Sequence, residues 1–207
     1  MMSDPREKIL SRVRRALEPL EKRAAYPDYE DHIVTMPGLT ADAQPWDAFK
    51  QRLQLAGGLA FDNAAELAAW LRTQKHLRGY CDPDLWLRLE PAFDHNFHIK
   101  QRFDRTRIDE YAFGITRAAG AIIETGSLIL NDASTSSRLG ALAPWVHVAV
   151  VSRSHIYADV VSAIIRLGDD PNVIWCTGPS RTADIEGILI KGVHGPGVQI
   201  ALLDKET

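Results

Sequence analysis

Cysteine is scarce in this chain. Two occur in 207 residues, Cys81 and Cys176, far apart and each flanked by aromatics. A disulfide framework is not expected, and two thiolates cannot supply the four that hold an iron–sulfur cluster. Both thiols read as buried. Long apolar runs are also missing: no segment approaches the roughly 18 residues of a membrane helix. The N-terminus is too charged for a signal peptide. Neither sign of charge dominates, and a formal net charge of −3 gives no case for nucleic acid or an anionic membrane. No Gly-rich dinucleotide fingerprint is present, because Gly57-Gly58 lacks the spacing and the helix context. Seven histidines offer no convincing metal set; His95 and His98 could share a helical face, but a third ligand is missing. Repeats and low-complexity segments are absent. What remains is one α/β domain with a substantial core, expected in a reducing cytoplasm without bound metal or cofactor.

The apolar spacing predicts the elements. Ser3-Asp4-Pro5 resembles a helix start, and Ile9, Val13, Ala16, Leu17 and Leu20 repeat at helical spacing to about Arg23. Residues 24–45 read as an extended connector, lying over the core or reaching a neighbouring subunit, which leaves a homo-oligomer open. This divides the chain into 1–45 and a main domain over 46–207. Helices are predicted over Trp46–Leu55 and after Asp62 or Asn63, with short strands at 57–61 and 78–81. Residues 82–105 give no firm pattern. Ala119–Ile123 and Leu128–Leu130 read as a hairpin about Glu124-Thr125-Gly126-Ser127. Val146–Val151, Val173–Cys176 and Val198–Leu203 read as buried strands, and His155–Leu167 as an amphipathic helix ended by Gly168. Strands alternating with helices imply a mostly parallel sheet covered on both faces, a three-layer α/β/α arrangement.

The run from Thr177 to Gly187, with Gly192 to Gly197, carries two Gly-Pro breaks, three hydroxyls, an arginine, two carboxylates and His194. That mixture suits a shaped polar loop rather than a core strand. Glu124, at a strand end, could be a nucleophile, a general base or a cap for backbone amides. Thr125, Gly126 and Ser127 could present amides and hydroxyls to an anion or only shape the turn. Gly178 permits close backbone approach, and Ser180 and Thr182 could bind a carboxylate or phosphate. Arg181 could clamp an anion or pair with Asp184 or Glu186. Asp184 could also cap a helical turn. His194 could transfer a proton or brace its loop. Arg138 is a further candidate anion contact, or an electrostatic helix cap.

These motifs carry a resemblance over about residues 105–204. The Thr177–Gly197 run, the block Gly114-Ile115-Thr116 with Ala121 through Leu130, and Arg138 through Val151 stand in the order of the LUD-domain family, named for lactate-utilisation proteins. The subgroup most resembled is lactate-utilisation protein C. The resemblance implies the fold shared by sugar-phosphate isomerases, glucosamine-phosphate deaminases and CoA transferases. It also implies work with iron–sulfur lactate-utilisation subunits in oxidising L-lactate to pyruvate, with a small organic acid as ligand and the clusters in the partners. One departure stands out: family members often carry an Asn two positions before the arginine matching Arg138, and here that position is Ser136.

Two other functions stay open on the residues alone. One is a stand-alone enzyme of CoA-transferase or sugar-phosphate type using Glu124, by fold-level analogy. The other is a non-catalytic docking subunit whose polar loops meet a partner. Whether the chain is catalytic by itself is not decided by its residues.

Overall fold

Proline and an acidic first turn start the first helix, α1 (Pro5–Leu17), whose basic last turn holds Arg14 and Arg15. It ends six residues short of the expected Arg23. The computed structural model describes residues 5–19, 44–168, 172–183 and 189–204. The extended reading of residues 24–43, the cap at Ser3-Asp4 and the positions Asp184 and Glu186 therefore lie outside the described residues. The chain divides into two compact units, residues 1–37 and 38–207.

The second unit opens with α2 (Pro45–Leu55), β1 (Leu59–Phe61), α3 (Ala64–Thr73), β2 (Arg78–Cys81) and α4 (Pro83–Leu89). It continues with β3 (His98–Lys100), β4 (Phe113–Arg117), β5 (Gly120–Ile122), β6 (Ser127–Asn131), α5 (Arg138–Leu142) and β7 (Val146–Ser152). The last elements are β8 (Ile156–Tyr157), α6 (Val160–Leu167), β9 (Val173–Cys176), β10 (Arg181–Ala183), β11 (Leu189–Lys191) and β12 (Val198–Asp204). Caps mark several helix starts: Asn63 accepts from Glu66 N, Ser137 from Gly140 N and Asp159 from Ser162 N.

Six strands form an all-parallel sheet in the order β1-β12-β7-β4-β2-β3. Strand alternation sends Phe113, Ile115, Val146, Val148, Ile200 and Leu202 to one face, packed on Leu67 and Leu71 of α3 and Leu85 of α4. The opposite face sends Ala149, Val151, Ala201 and Leu203 onto Phe49 and Leu53 of α2 and onto Ala121 and Leu128. A second sheet, ordered β8-β5-β6-β9, lies on that side, and its outer face packs Ile122 and Ile129 against Ala163 of α6. The architecture is α/β with a mostly parallel central sheet between helical layers, as the sequence predicts.

Four expectations need correction. The helix predicted from His155 begins at Val160, because Ile156-Tyr157 pairs with β5 and Asp159 then caps the helix. Val173–Cys176 is not a buried strand: it is the edge of the small sheet, antiparallel to β6, and Trp175 remains 39% exposed. Cys176 is accordingly half-buried rather than buried. His95 and His98 do not share a helical face, since His98 lies in β3. Residues 82–105, which gave no pattern, hold α4, a 3-10 turn over Glu90–Ala92 and β3. Among the described residues no helix is long and apolar enough to cross a membrane.

Candidate functional site

The hairpin of β5 and β6 places Glu124 to Ser127 in one tight turn. Gly126 has φ +67, and a Cβ there would stand 2.5–2.6 Å from the Arg52 and Leu53 backbone of α2. Because β6 pairs with β9 through Leu128 and Cys176, the next residues outward meet: Ser127 Oγ shares one hydrogen bond with Thr177 Oγ1 and another with Thr125 Oγ1. Gly178 follows with φ +73, its Cα facing the Ala56 carbonyl so closely that a Cβ would lie 2.3 Å from that oxygen. Arg181 donates to the same carbonyl at 3.2 Å, which places a cation at the C-terminal end of α2. Thus the two polar motifs of the sequence do converge, and both close on the last turn of α2.

The other singled-out residues are distributed around this cluster. Glu124 Oε2 accepts from Val160 N at 3.1 Å, at the first turn of α6. Ser180 exchanges backbone bonds with Pro196 and Gly192, so the 192–197 loop and the β10–β11 hairpin are tied together. Thr182 lies in β10, opposite Ile190. His194 is exposed in the 192–197 loop. Arg138 is not part of the cluster. It starts α5 beyond the far end of β6 and pairs with Asp132 at 3.0 Å. The length of β6, about 13 Å at 3.3 Å per residue, separates it from Ser127.

A different site lies at the carboxyl ends of β4, β7 and β12, where open α/β sheets hold their ligands. A cleft of about 450 Å³ opens there, between the main and the small sheets. Arg117, His155, Tyr157, Arg166 and Asp204 line it, with Asn131, Ser134, Ser152 and Ser154. Asn131 fixes one wall: its Oδ1 accepts from Ser134 N and Oγ, and the Thr135 hydroxyl donates to the Arg117 carbonyl. Asp204 is held from behind by Arg88, at 2.8 and 2.9 Å to its two oxygens. Burial raises the Tyr157 hydroxyl pKa, opposed by the nearby Arg166 cation. Arg117 and Arg166 have no carboxylate partner among the described residues. None of the residues singled out in the sequence lines this cleft. The available signal was position: Arg117 is the last residue of β4, and His155 follows β7 by three residues.

Toward the amino ends of β7 and β12, the face of the main sheet that carries Ala149 and Ala201 buries a polar row. Thr116 Oγ1 meets His147 Nε2 at 2.9 Å, and His147 Nδ1 faces the Gln199 side-chain amide, 3.2 Å from Oε1 and 2.9 Å from Nε2. Burial pushes the His147 pKa down to about 4, against the raising effect of Gln199, so the ring is neutral at pH 7.

No group of three or more His, Cys, Asp or Glu among the described residues is arranged to hold a metal. The two thiols do not suit an iron–sulfur cluster: they lie on different strands, and burial pushes Cys81 up to about 12 and Cys176 to about 11.

Residues 65–203 match the LUD domain. The chain belongs to the LUD-domain family. Relatives of this LUD chain include Lactate utilization protein C of Deinococcus radiodurans, 33% identical over 117 residues, covering 53% of this chain and 50% of the relative. Lactate utilization protein C of Bacillus subtilis is 36% identical over 91 residues, covering 40% and 38%. An uncharacterized protein of Neisseria meningitidis is 34% identical over 114 residues, covering 52% and 48%. The LUD chain therefore aligns with about half the length, or less, of the curated relatives it matches. The crystal structure of a DUF162-family protein from Deinococcus radiodurans has the same fold, with a TM-score of 0.54 at 22% identity, over 77% of this chain and 96% of that one.

Proposed function

We propose that this LUD chain is a lactate-utilisation subunit of the C type, which holds a small hydroxy- or keto-carboxylate and works with iron–sulfur proteins in oxidising L-lactate to pyruvate. The observation that carries the ligand class is the pair Arg117 and Arg166, which lack a carboxylate partner among the described residues, at the carboxyl ends of the parallel strands. A guanidinium matches a carboxylate in two parallel hydrogen bonds. Likeness to proteins named Lactate utilization protein C supplies the choice of acid.

In this reading Arg117 and Arg166 hold the carboxylate, and the serine hydroxyls and Tyr157 face the carbon that carries the hydroxyl. His155 is the group placed to take the hydroxyl proton. Oxidation of lactate to pyruvate releases two electrons and two protons. This chain's two cysteines are unsuited to a cluster, so the electrons leave through partner proteins.

The direct test titrates the purified chain with L-lactate and pyruvate by isothermal calorimetry. Saturable binding is expected, weakened about tenfold by Arg117→Gln or Arg166→Gln, the loss of one charge-assisted pair. Binding that ignores both substitutions would remove the ligand from this cleft. A second reading, a CoA-ester enzyme using Glu124, would be favoured by turnover of a thioester that is lost in Glu124→Ala.

A further inference from the structure

The connection from β3 to β4 departs from its neighbours. These two strands flank β2 on either side, and parallel strands of one sheet are usually joined through a helix that buries an apolar stripe on the sheet. Here residues 101–112 contain a 3-10 stretch over Arg105–Glu110 with no buried residue. Aromatic contacts fasten the segment instead. Phe103 stacks on Tyr111 at 4.7 Å and 24°, and meets Tyr80 of β2 edge-on at 5.6 Å. The Tyr111 hydroxyl accepts from Asp104 N at 3.0 Å.

Between this segment and the β2–β3 edge lies a cleft of about 680 Å³, within the size range of small-molecule pockets. Its floor follows from register. Arg78 pairs with His98 and Tyr80 with Lys100, so Arg78, His98 and Lys100 share one face of the sheet. Arg102, Arg105 and Arg107 come from the crossing segment. No residue lines both this cleft and the one at the carboxyl ends of the strands.

The balance of charge identifies the ligand class. Five Lys or Arg residues line the cleft against two carboxylates, in a chain whose formal net charge is −3. Both carboxylates are engaged: Glu110 pairs with Arg107 at 2.8 Å, and Asp104 accepts from the Thr106 amide and hydroxyl. Arg78, Lys100, Arg102 and Arg105 form no ion pair among the described residues. A concave surface of one sign focuses its field on an opposite charge. A monocarboxylate would leave most of these cations uncompensated, whereas a di- or triphosphate brings several charges and many acceptor oxygens. Phe103, half-buried and stacked on Tyr111, is an aromatic part of the wall, and a base can extend such a stack.

We propose that this cleft binds a nucleoside polyphosphate, with Arg78, Lys100, Arg102 and Arg105 on the phosphates and Phe103 on the base. The proposal does not rest on the lactate reading, because the two clefts share no residue.

The test titrates the full chain with ATP, ADP, AMP and inorganic pyrophosphate, without metal, by isothermal calorimetry. One saturable site is expected, tighter for ATP than for AMP. Arg102→Gln and Arg105→Gln, both at exposed positions, each weaken ATP by about tenfold. Phe103→Leu weakens ATP while leaving pyrophosphate unchanged. Absence of saturable binding up to about 1 mM, a concentration matching weak association, would overturn the proposal. So would ATP binding indifferent to both arginine substitutions, or an oligonucleotide bound through the same arginines more tightly than ATP. Equal loss of ATP and pyrophosphate in Phe103→Leu would overturn the assignment of the base.

Discussion

Acid should destabilise this protein through one fully buried ring. His147 has no exposed surface, and its pKa is about 4 in the folded protein against an ordinary 6.5. The folded-state value is depressed, so the unfolded chain takes up the proton first as pH falls. The contribution of neutral His147 is complete above pH 6.5, is lost between 6.5 and 4, and changes no further below that. A displacement of about 2.5 pH units at 1.36 kcal/mol per unit amounts to about 3 kcal/mol. That is a large share of the roughly 5–15 kcal/mol that stabilises a typical domain. Urea unfolding at half-unit steps from pH 7.5 to 4.5 measures it, with His147→Asn as reference. Asparagine keeps a side chain able to bond Thr116 or Gln199 but does not titrate. The wild-type stability should fall more steeply than the variant's by the equivalent of about one proton. Carboxylates such as Asp94, Asp104 and Asp159, whose pKa values are lowered by hydrogen bonds from nearby backbone or hydroxyl groups, change in both proteins alike. Identical slopes for wild type and variant would refute the reasoning.

Gly126→Ala places a methyl against the α2 backbone at φ +67 and should cost more than about 2 kcal/mol; Gly168→Ala, at φ +63 with nothing within 4 Å, should cost about 1, both read by chemical denaturation. An equal cost at the two positions would contradict the packing described for the turn. Glu124→Ala should lower stability by about 1 kcal/mol through the amide bond at the start of α6, a value reduced for its partial exposure. Thiol-reagent labelling of Cys81 and Cys176 at pH 8 should run far more slowly in the folded protein than in urea, because burial keeps both thiols protonated. Rapid labelling of Cys81 in the native state would contradict its burial.

The sequence reveals the core more clearly than the cleft, for physical reasons. Val146–Val151 is apolar apart from His147 because β7 sits between two neighbours with both faces covered. Gly126 announces the β5–β6 hairpin because the turn needs a positive φ. Val173–Cys176 is equally apolar yet lies at an edge, and no local pattern distinguishes an edge from a centre. The convergence of Ser127 with Thr177 was readable as two polar motifs after apolar strands. The carboxyl-end cleft was not, since Arg117, His155 and Arg166 come from separate segments and share no motif. Only the strand order brings them together. The 82–105 stretch was opaque because its short elements are held by aromatic contacts, Trp86 with Phe93 and Phe93 with Phe97, rather than by periodic stripes.

The central claim is that this LUD chain contributes to lactate oxidation alongside iron–sulfur partners. The most direct measurement captures the tagged full chain gently from its native cells grown on lactate, identifies what accompanies it and assays lactate-dependent dye reduction. The account predicts that iron–sulfur proteins are recovered and that dye reduction depends on lactate, with loss in Arg117→Gln. Recovery of the chain alone, with no lactate-dependent reduction, would contradict it.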